Sequence, residues 1–267
     1  MDSLVSTHVK AAARLPLRAD PAKLRADVVA IDRREWKTHF NSNYFDGDWT
    51  GVALRAPCES ASTLYADPTA STFVDTALMG ACPNLAAALA RLQCPLKSAR
   101  LLSLSAGSSI REHRDSGLGW ETGEVRLHLP IITNPRVEFF LNGKRVVMRE
   151  GEYWYLDLGN LHRVENRGDQ DRIHLVVDCV LNDWLRTTIE AGEEMAPALF
   201  AESEFERFRR LVLDDPVLQG RLSGDLDRNK FILLMVRLGE QHGARFTAGD
   251  VDAALQAARR EWIEQQI

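Results

Sequence analysis

The chain has 267 residues, 45% hydrophobic and 27% charged, a globular composition long enough for one large domain or one domain plus an appendage. A formal net charge of -5 leaves no basic excess, which argues against nucleic acid as a partner. Four cysteines stand far apart without a C-x-x-C pair and read as free thiols of a reduced, cytoplasmic protein, and no apolar run approaches the roughly 20 residues of a membrane span.

The opening segment is interrupted by His8, Lys10, Arg14 and Arg18, unlike a secretory signal. Asp20 followed by Pro21 then reads as a helix cap and first helical residue, with Leu24, Val28 and Ile31 at helical spacing. From Glu35 to Arg55 the pattern is aromatic and irregular, with Asp46-Gly47-Asp48 as a turn, and predicts strand and loop. Residues 67 to 94 are Ala-rich and predict two short helices starting at Pro68 and Pro83.

From about Ala99 the period changes to two. Leu102 and Leu104 alternate with serines, and Val125, Leu127, Leu129 and Ile131 alternate with Glu124, Arg126, His128 and Pro130. Asn142-Gly143 between two short runs predicts a hairpin, because a type I′ turn needs positive φ at both central positions. Further strands are expected at Tyr153 to Leu156 and Arg172 to Val180, which together suggest a sandwich or closed barrel. After Trp184 the helical period returns in three stripes, Phe205/Phe208/Val212, Phe231/Leu234/Met235/Leu238 and Val251/Ala254/Leu255/Ala258/Trp262. The chain therefore divides into a mainly β domain over 1–190, with N-terminal helices, and a small C-terminal helical domain over 191–267.

The residues that carry chemistry are His113-Arg114-Asp115 and His162. Two imidazoles and a carboxylate on one face of an octahedral ion leave three adjacent positions open, two for a co-substrate and one for O₂, as non-haem iron(II) oxygenases require. Singly, each has a plainer reading: a surface H-x-D pair, or a structural histidine. Arg172 enters the apolar strand that continues to Val180, where a guanidinium needs an anion such as the 5-carboxylate of 2-oxoglutarate or a structural carboxylate. Arg126 and His128, two apart, share a face and read as pocket-lining residues.

The segments His113-Arg114-Asp115, Glu124 to His128, Gly151-Glu152, Asn160-Leu161-His162 and Asp171 to His174 resemble the aspartyl/asparaginyl β-hydroxylase family over roughly Trp36 to Trp184. That resemblance implies a double-stranded β-helix of the jelly-roll, cupin-like kind, iron(II), 2-oxoglutarate as co-substrate, and hydroxylation at an unactivated carbon. By similarity His113 and His162 ligate iron, Arg172 binds the distal carboxylate of 2-oxoglutarate, and Arg126 and His128 belong to that pocket. Since the aspartyl hydroxylase branch can lack the carboxylate ligand, Asp115 makes the chain look more like the bacterial L-proline cis-4-hydroxylase branch.

The aromatic stretch including Trp36, His39, Asn41 and Trp49 also resembles that branch and is the expected substrate wall, with Arg55 and Arg114 as candidate partners for a substrate carboxylate. Trp120 and Trp154 are expected to shield the reaction from water. The C-terminal run resembles the small Nif11-type helical domain. The expected substrate is an amino acid, free and proline-like or an Asp or Asn within a peptide. Two other classes stay open: a cupin-like metalloenzyme without 2-oxoglutarate, indifferent to Arg172→Ala, and a non-enzymatic peptide-binding module, indifferent to His113→Ala.

Overall fold

A computed structural model of the chain describes residues 10–39, 44–58, 64, 70–115, 117–194, 204–223, 227–252 and 254–255. It divides into two compact units, Met1–Phe200 and Ala201–Ile267.

The first unit is a jelly roll of two antiparallel sheets. Nine strands form the larger sheet: β1 (Ala12–Arg18), β2 (Lys37–Thr38), β4 (Trp49–Pro57), β5 (Phe73–Asp75), β6 (Leu96–Leu104), β8 (Glu124–Ile132), β11 (Glu152–Leu156), β13 (Arg172–Val180) and β14 (Glu193–Glu194). Their order is β14-β1-β11-β8-β13-β6-β4-β2, with β5 also on β4. The smaller sheet has the order β10-β9-β12-β7-β3, from β3 (Phe45–Asp46), β7 (Ser109–His113), β9 (Val137–Leu141), β10 (Lys144–Val146) and β12 (His162–Asn166). Asn142 and Gly143 between β9 and β10 have φ of 50° and 72°, the conformation expected of this hairpin.

Strand alternation gives the larger sheet two chemically different faces. Val125, Leu127, Leu129 and Ile131 of β8 and Ile173, Leu175, Val177 and Cys179 of β13 join an outer core covered by helices. Those helices are α1 (Pro21–Ala30), α3 (Pro83–Leu89) and α4 (Asp183–Ala191), which supply Leu24, Val28, Leu85, Leu89, Leu185 and Ile189. Asp20 caps α1 by accepting from the Ala22 and Lys23 amides, as the Asp-Pro pair predicts. The other face meets the smaller sheet across Leu102, Leu104, Trp154 and Val176 on one side and Ile110, Phe139, Leu141 and Val164 on the other. This second cluster lines the space between the sheets.

Pro68, one expected helix start, lies outside the described residues; the two short helices of this region are α2, spanning Ala77–Gly80 after β5, and α3 from Pro83. In the second unit, α5 (Glu204–Asp214), α6 (Pro216–Leu222) and α7 (Arg228–Gln241) pack Phe205, Phe208, Leu218, Ile232, Met235 and Leu238 together with Phe246 and Val251. Asp215 caps α6 through the Val217 and Leu218 amides. Ala258 and Trp262 lie outside the described residues. Among the described residues no helix is long and apolar enough to cross a membrane.

Candidate active site

β7 and β12 are neighbours in the smaller sheet, and their register sets His162 opposite His113. The two rings stand 4.2 Å apart between centroids, and Asp115 Oδ1 lies 3.4 Å from His113 Nε2. One ligand atom from each of His113, Asp115 and His162 falls within 4.8 Å of the others, close enough to share one ion.

Backbone carbonyls fix both imidazoles for that task. His113 Nδ1 donates to the Arg111 carbonyl at 2.8 Å and His162 Nδ1 to the Asn160 carbonyl at 3.0 Å. Since a carbonyl can only accept, the hydrogen sits on Nδ1 in each ring and the Nε2 lone pair is free for a metal. Burial and the nearby His113 hold His162 down to about 4, so its imidazole stays neutral. Burial raises the Asp115 carboxyl, but Arg126, His113 and His162 outweigh it and hold the group ionised well below the usual range. Two imidazoles and one carboxylate fit a divalent transition-metal ion.

Behind Asp115 runs a buried chain of charges. Arg126 Nη1 donates to Asp115 Oδ2, while Arg126 Nε and Nη2 reach Asp178 at 2.6 and 3.1 Å. Asp178 also accepts from Ser98 Oγ at 2.7 Å and from Arg100 Nη2, and Arg100 Nη1 donates to the Leu64 carbonyl at 3.1 Å. Arg126 does share a face with His128, as alternation predicts, yet its donors are engaged by two carboxylates.

Arg172 is in the opposite condition. It is 2% exposed on the inner face of β13, and among the described residues it has no carboxylate partner. Its Nη2 donates to His174 Nδ1 at 2.8 Å and its Nε has no partner. Burial alone pushes it down to about 9. His128 and His174 flank it, with their Nδ1 atoms 3.4 Å apart and both Nε2 atoms buried without partners. Burial and then Arg172 keep both imidazoles neutral. His128 also feels Arg126, His162 and Asp115, so this cationic pocket adjoins the candidate metal donors. Phe139 bridges the two, with ring centroids 6.1 Å from His162 and 5.8 Å from His128.

The expected substrate residues part company. His39 stacks on Trp49 at 3.6 Å, and burial followed by the fields of Arg100 and Arg126 lowers it to about 4. Tyr44 reaches His113 at 5.0 Å between ring centroids. Trp36, which follows a 3₁₀ turn, instead packs against the outer core. Arg55 is spent on Asp75 at 2.6 Å and on the Phe73 and Leu96 carbonyls. Arg114 is exposed and donates to the Gly159 carbonyl at 3.1 Å, tying together the loops that carry the ligands. Asn41 lies outside the described residues. Trp154 is buried between the sheets as expected, whereas Trp120 packs against the outer core under Arg186.

Sequence reasoning passed over Arg100 and Asp178. Both occupy the inner period of their strands, Arg100 with Leu102 and Leu104 and Asp178 with Arg172, His174 and Val176. The argument that singled out Arg172 applies equally to them.

No curated protein matches the chain. Solved structures similar to it include an oxidoreductase of the 2OG-Fe(II) oxygenase family from Burkholderia pseudomallei, at 14% identity and a TM-score of 0.43, over 59% of this chain and 78% of that one. The non-heme alpha-ketoglutarate-dependent epimerase SnoN of nogalamycin biosynthesis is similar at 16% identity and a TM-score of 0.42, over 65% and 78% of the two chains. A cupin 2 conserved barrel domain protein from Salinispora arenicola has 16% identity and a TM-score of 0.30, over 60% and 92%. The sequence model that matches residues 18–181 is that of aspartyl/asparaginyl beta-hydroxylase, and it takes in β7 and β12 with His113, Asp115 and His162; the chain belongs to that family.

Proposed function

We propose that the chain is an iron(II)- and 2-oxoglutarate-dependent dioxygenase that hydroxylates an unactivated carbon of an amino acid, free or within a peptide. The observation that carries this reading is the adjacency of a His-Asp-His donor set to a buried guanidinium that has no carboxylate of its own. An uncompensated charge inside a sheet is costly, and a dicarboxylate arriving with the metal removes that cost.

In this reading His113, Asp115 and His162 hold iron, which with 2-oxoglutarate supplies the oxidising power for oxygen insertion. Arg172 binds the distal carboxylate, and His174 aims it by accepting from Nη2. The His174 Nε2 hydrogen, fixed by that bond, is free to donate to the same carboxylate. Arg126 orients Asp115 and keeps it ionised. Phe139, Leu102, Leu104 and Trp154 line the space between the sheets and exclude water from the reacting carbon.

The test is anaerobic titration of the purified chain with iron(II) and 2-oxoglutarate, then admission of air with a panel of amino acids and peptides. The expected result is iron-dependent conversion of 2-oxoglutarate to succinate and a product heavier by about 16 Da, one oxygen atom. Metal binding without 2-oxoglutarate binding would refute the proposal.

A further inference from the structure

Two of the four cysteines, far apart in sequence, meet at the outer core of the larger sheet. Cys179 follows Ile173, Leu175 and Val177 in the outer period of β13 and is 0% exposed among the aliphatic side chains of that core. β13 runs against β6 with Cys179 opposite Leu96, and just beyond that pair the Val180 amide donates to the Pro95 carbonyl at 2.9 Å. Further on, Asn182 Nδ2 donates to the Gln93 carbonyl at 2.9 Å. Cys94 therefore sits between two carbonyls fastened to the chain leaving β13, two residues from Leu96, and packs against the same core. Both cysteines are free thiols, and their side chains hydrogen-bond to one another.

The two sulfurs are not equivalent. Cys94 is half-buried in the turn between α3 and β6, where solvent reaches it, whereas Cys179 is sealed. The hydrogen bond from the Cys179 thiol lowers Cys94 against the opposing effect of burial. That same bond, then burial and the charges of Cys94 and Asp178, raises Cys179. The accessible sulfur is thus the one that ionises, and the buried one keeps its proton. Thiol chemistry begins at a thiolate that solutes can reach, which singles out Cys94. Cys82 is buried in the outer core, where burial and then Asp27 raise its thiol, and Cys58 is exposed.

We propose that Cys94 and Cys179 form a peroxide-reactive pair, in which Cys94 is the attacking sulfur and Cys179 the resolving one. The Cys94 thiolate attacks one oxygen of hydrogen peroxide, the O–O bond breaks, and Cys94 becomes a sulfenic acid as hydroxide leaves. The Cys179 sulfur then attacks the Cys94 sulfur, the S–O bond breaks, and the departing hydroxide takes the Cys179 proton to leave as water. In sum two thiols and one peroxide give one disulfide and two waters, with two electrons passing from sulfur to oxygen. A small dithiol reverses the bond by exchange. The loop it closes runs from 94 to 179 and contains His113, Asp115, Arg126, His162 and Arg172. Oxidation therefore fastens both ends of the segment that carries the candidate metal donors, whatever metal or co-substrate binds there.

The experiment is titration of the full, metal-free chain with hydrogen peroxide, followed by intact mass and by tryptic mapping without reduction. Wild type is expected to lose about 2 Da, the two thiol hydrogens. Its digest is expected to join peptide 92–97 to peptide 173–186, a link that a small dithiol removes. In Cys179→Ser the reaction is expected to stop at the sulfenic acid, a gain of about 16 Da on peptide 92–97 that dimedone traps. Cys94→Ser is expected to form no link and to consume peroxide at Cys179 at least about tenfold more slowly than wild type does at Cys94. Cys58→Ser is expected to link as wild type does. No mass loss in wild type, a link through Cys58 or Cys82, or oxidation of Cys58 ahead of Cys94 overturns the proposal. The wild-type peptide map decides the matter even if a serine variant does not fold.

Discussion

Replacing Arg172 by methionine is expected to stabilise the ligand-free protein while destroying its affinity for 2-oxoglutarate. Burial holds the guanidinium near 9 against an ordinary 12.5. At about 1.4 kcal/mol per pH unit, that depression corresponds to about 5 kcal/mol of unfavourable charge burial. Methionine removes the charge and keeps most of the apolar stem, but it leaves His174 Nδ1 without its donor, a loss of about 1–3 kcal/mol. The net gain of about 2–4 kcal/mol raises Tm by roughly 5–15 °C in a unit of this size. Binding of 2-oxoglutarate falls at least about a hundredfold, since breaking a buried charge pair costs about 3–5 kcal/mol. The pH dependence has a definite sign. The folded-state value lies below the unfolded one, so above pH 9 the unfolded chain binds more protons and wild-type stability gains on the variant. By pH 10 the gap narrows by about 1 kcal/mol. Thermal melts of both proteins at pH 7.5 and 10, with and without 2-oxoglutarate, measure all of this. A variant less stable than wild type without ligand, yet still stabilised by 2-oxoglutarate, would refute the reasoning.

His162→Ala removes one of three donors, and manganese(II) affinity read by calorimetry is expected to fall by more than about tenfold. Arg126→Met leaves Asp115 unoriented, which weakens metal binding about 10- to 100-fold. The same change strips Asp178 of two bonds, a stability loss of about 3 kcal/mol in urea melts. Burial opposes ionisation of Asp178, but Arg100, Arg126 and Ser98 hold it below the ordinary carboxylate range. Its stabilising contribution is therefore full above pH 4 and is lost as the pH falls below it, so wild type and Asp178→Asn are expected to converge in stability on acidification. Gly47 has φ of +88°, and a Cβ there would sit 2.3 Å from Ser108 Oγ, the acceptor of the Asp48 amide. Gly47→Ala is expected to cost about 1–3 kcal/mol in a thermal melt.

Where local rules and burial agreed, the sequence was legible. The Asn142-Gly143 hairpin, the Asp20 cap and the two faces of β8 and β13 follow from turn chemistry, capping and alternation. The strands it concealed are those in which another demand overrode the pattern. β1 contains Pro16, which falls where its register with β11 shifts between Arg14 and Arg18, so the missing amide breaks no regular ladder. β12 buries His162, Val164 and Asn166, a single apolar residue flanked by a metal donor and by an amide that bonds the Leu104 and Gln170 carbonyls. β7 likewise points one buried apolar side chain, Ile110, into the core. Arg100 was hidden for the reverse reason: in a strand as apolar as β6, a single arginine reads as an edge residue until its neighbours are known.

The two faces of the larger sheet divide the work. The outer face, with its aliphatic rows under α1, α3 and α4, carries what the fold needs to assemble. The inner face holds Arg100, Arg126, Arg172, Asp178, Glu152, His128 and His174, with His113, Asp115 and His162 facing them from the opposing sheet, together with buried donors that lack acceptors. Such a face opposes folding by itself, because each unmatched polar group is desolvated without compensation. The outer core must therefore be strong enough to keep the inner face assembled before any ligand arrives. In the proposed function, ligands supply what the protein withholds: a cation for the Nε2 lone pairs and Asp115, and a carboxylate for Arg172. Binding to the folded state alone must raise its stability by mass action. Metal and 2-oxoglutarate should each add to the melting temperature, and substitutions confined to the outer core should lower it without changing either increment.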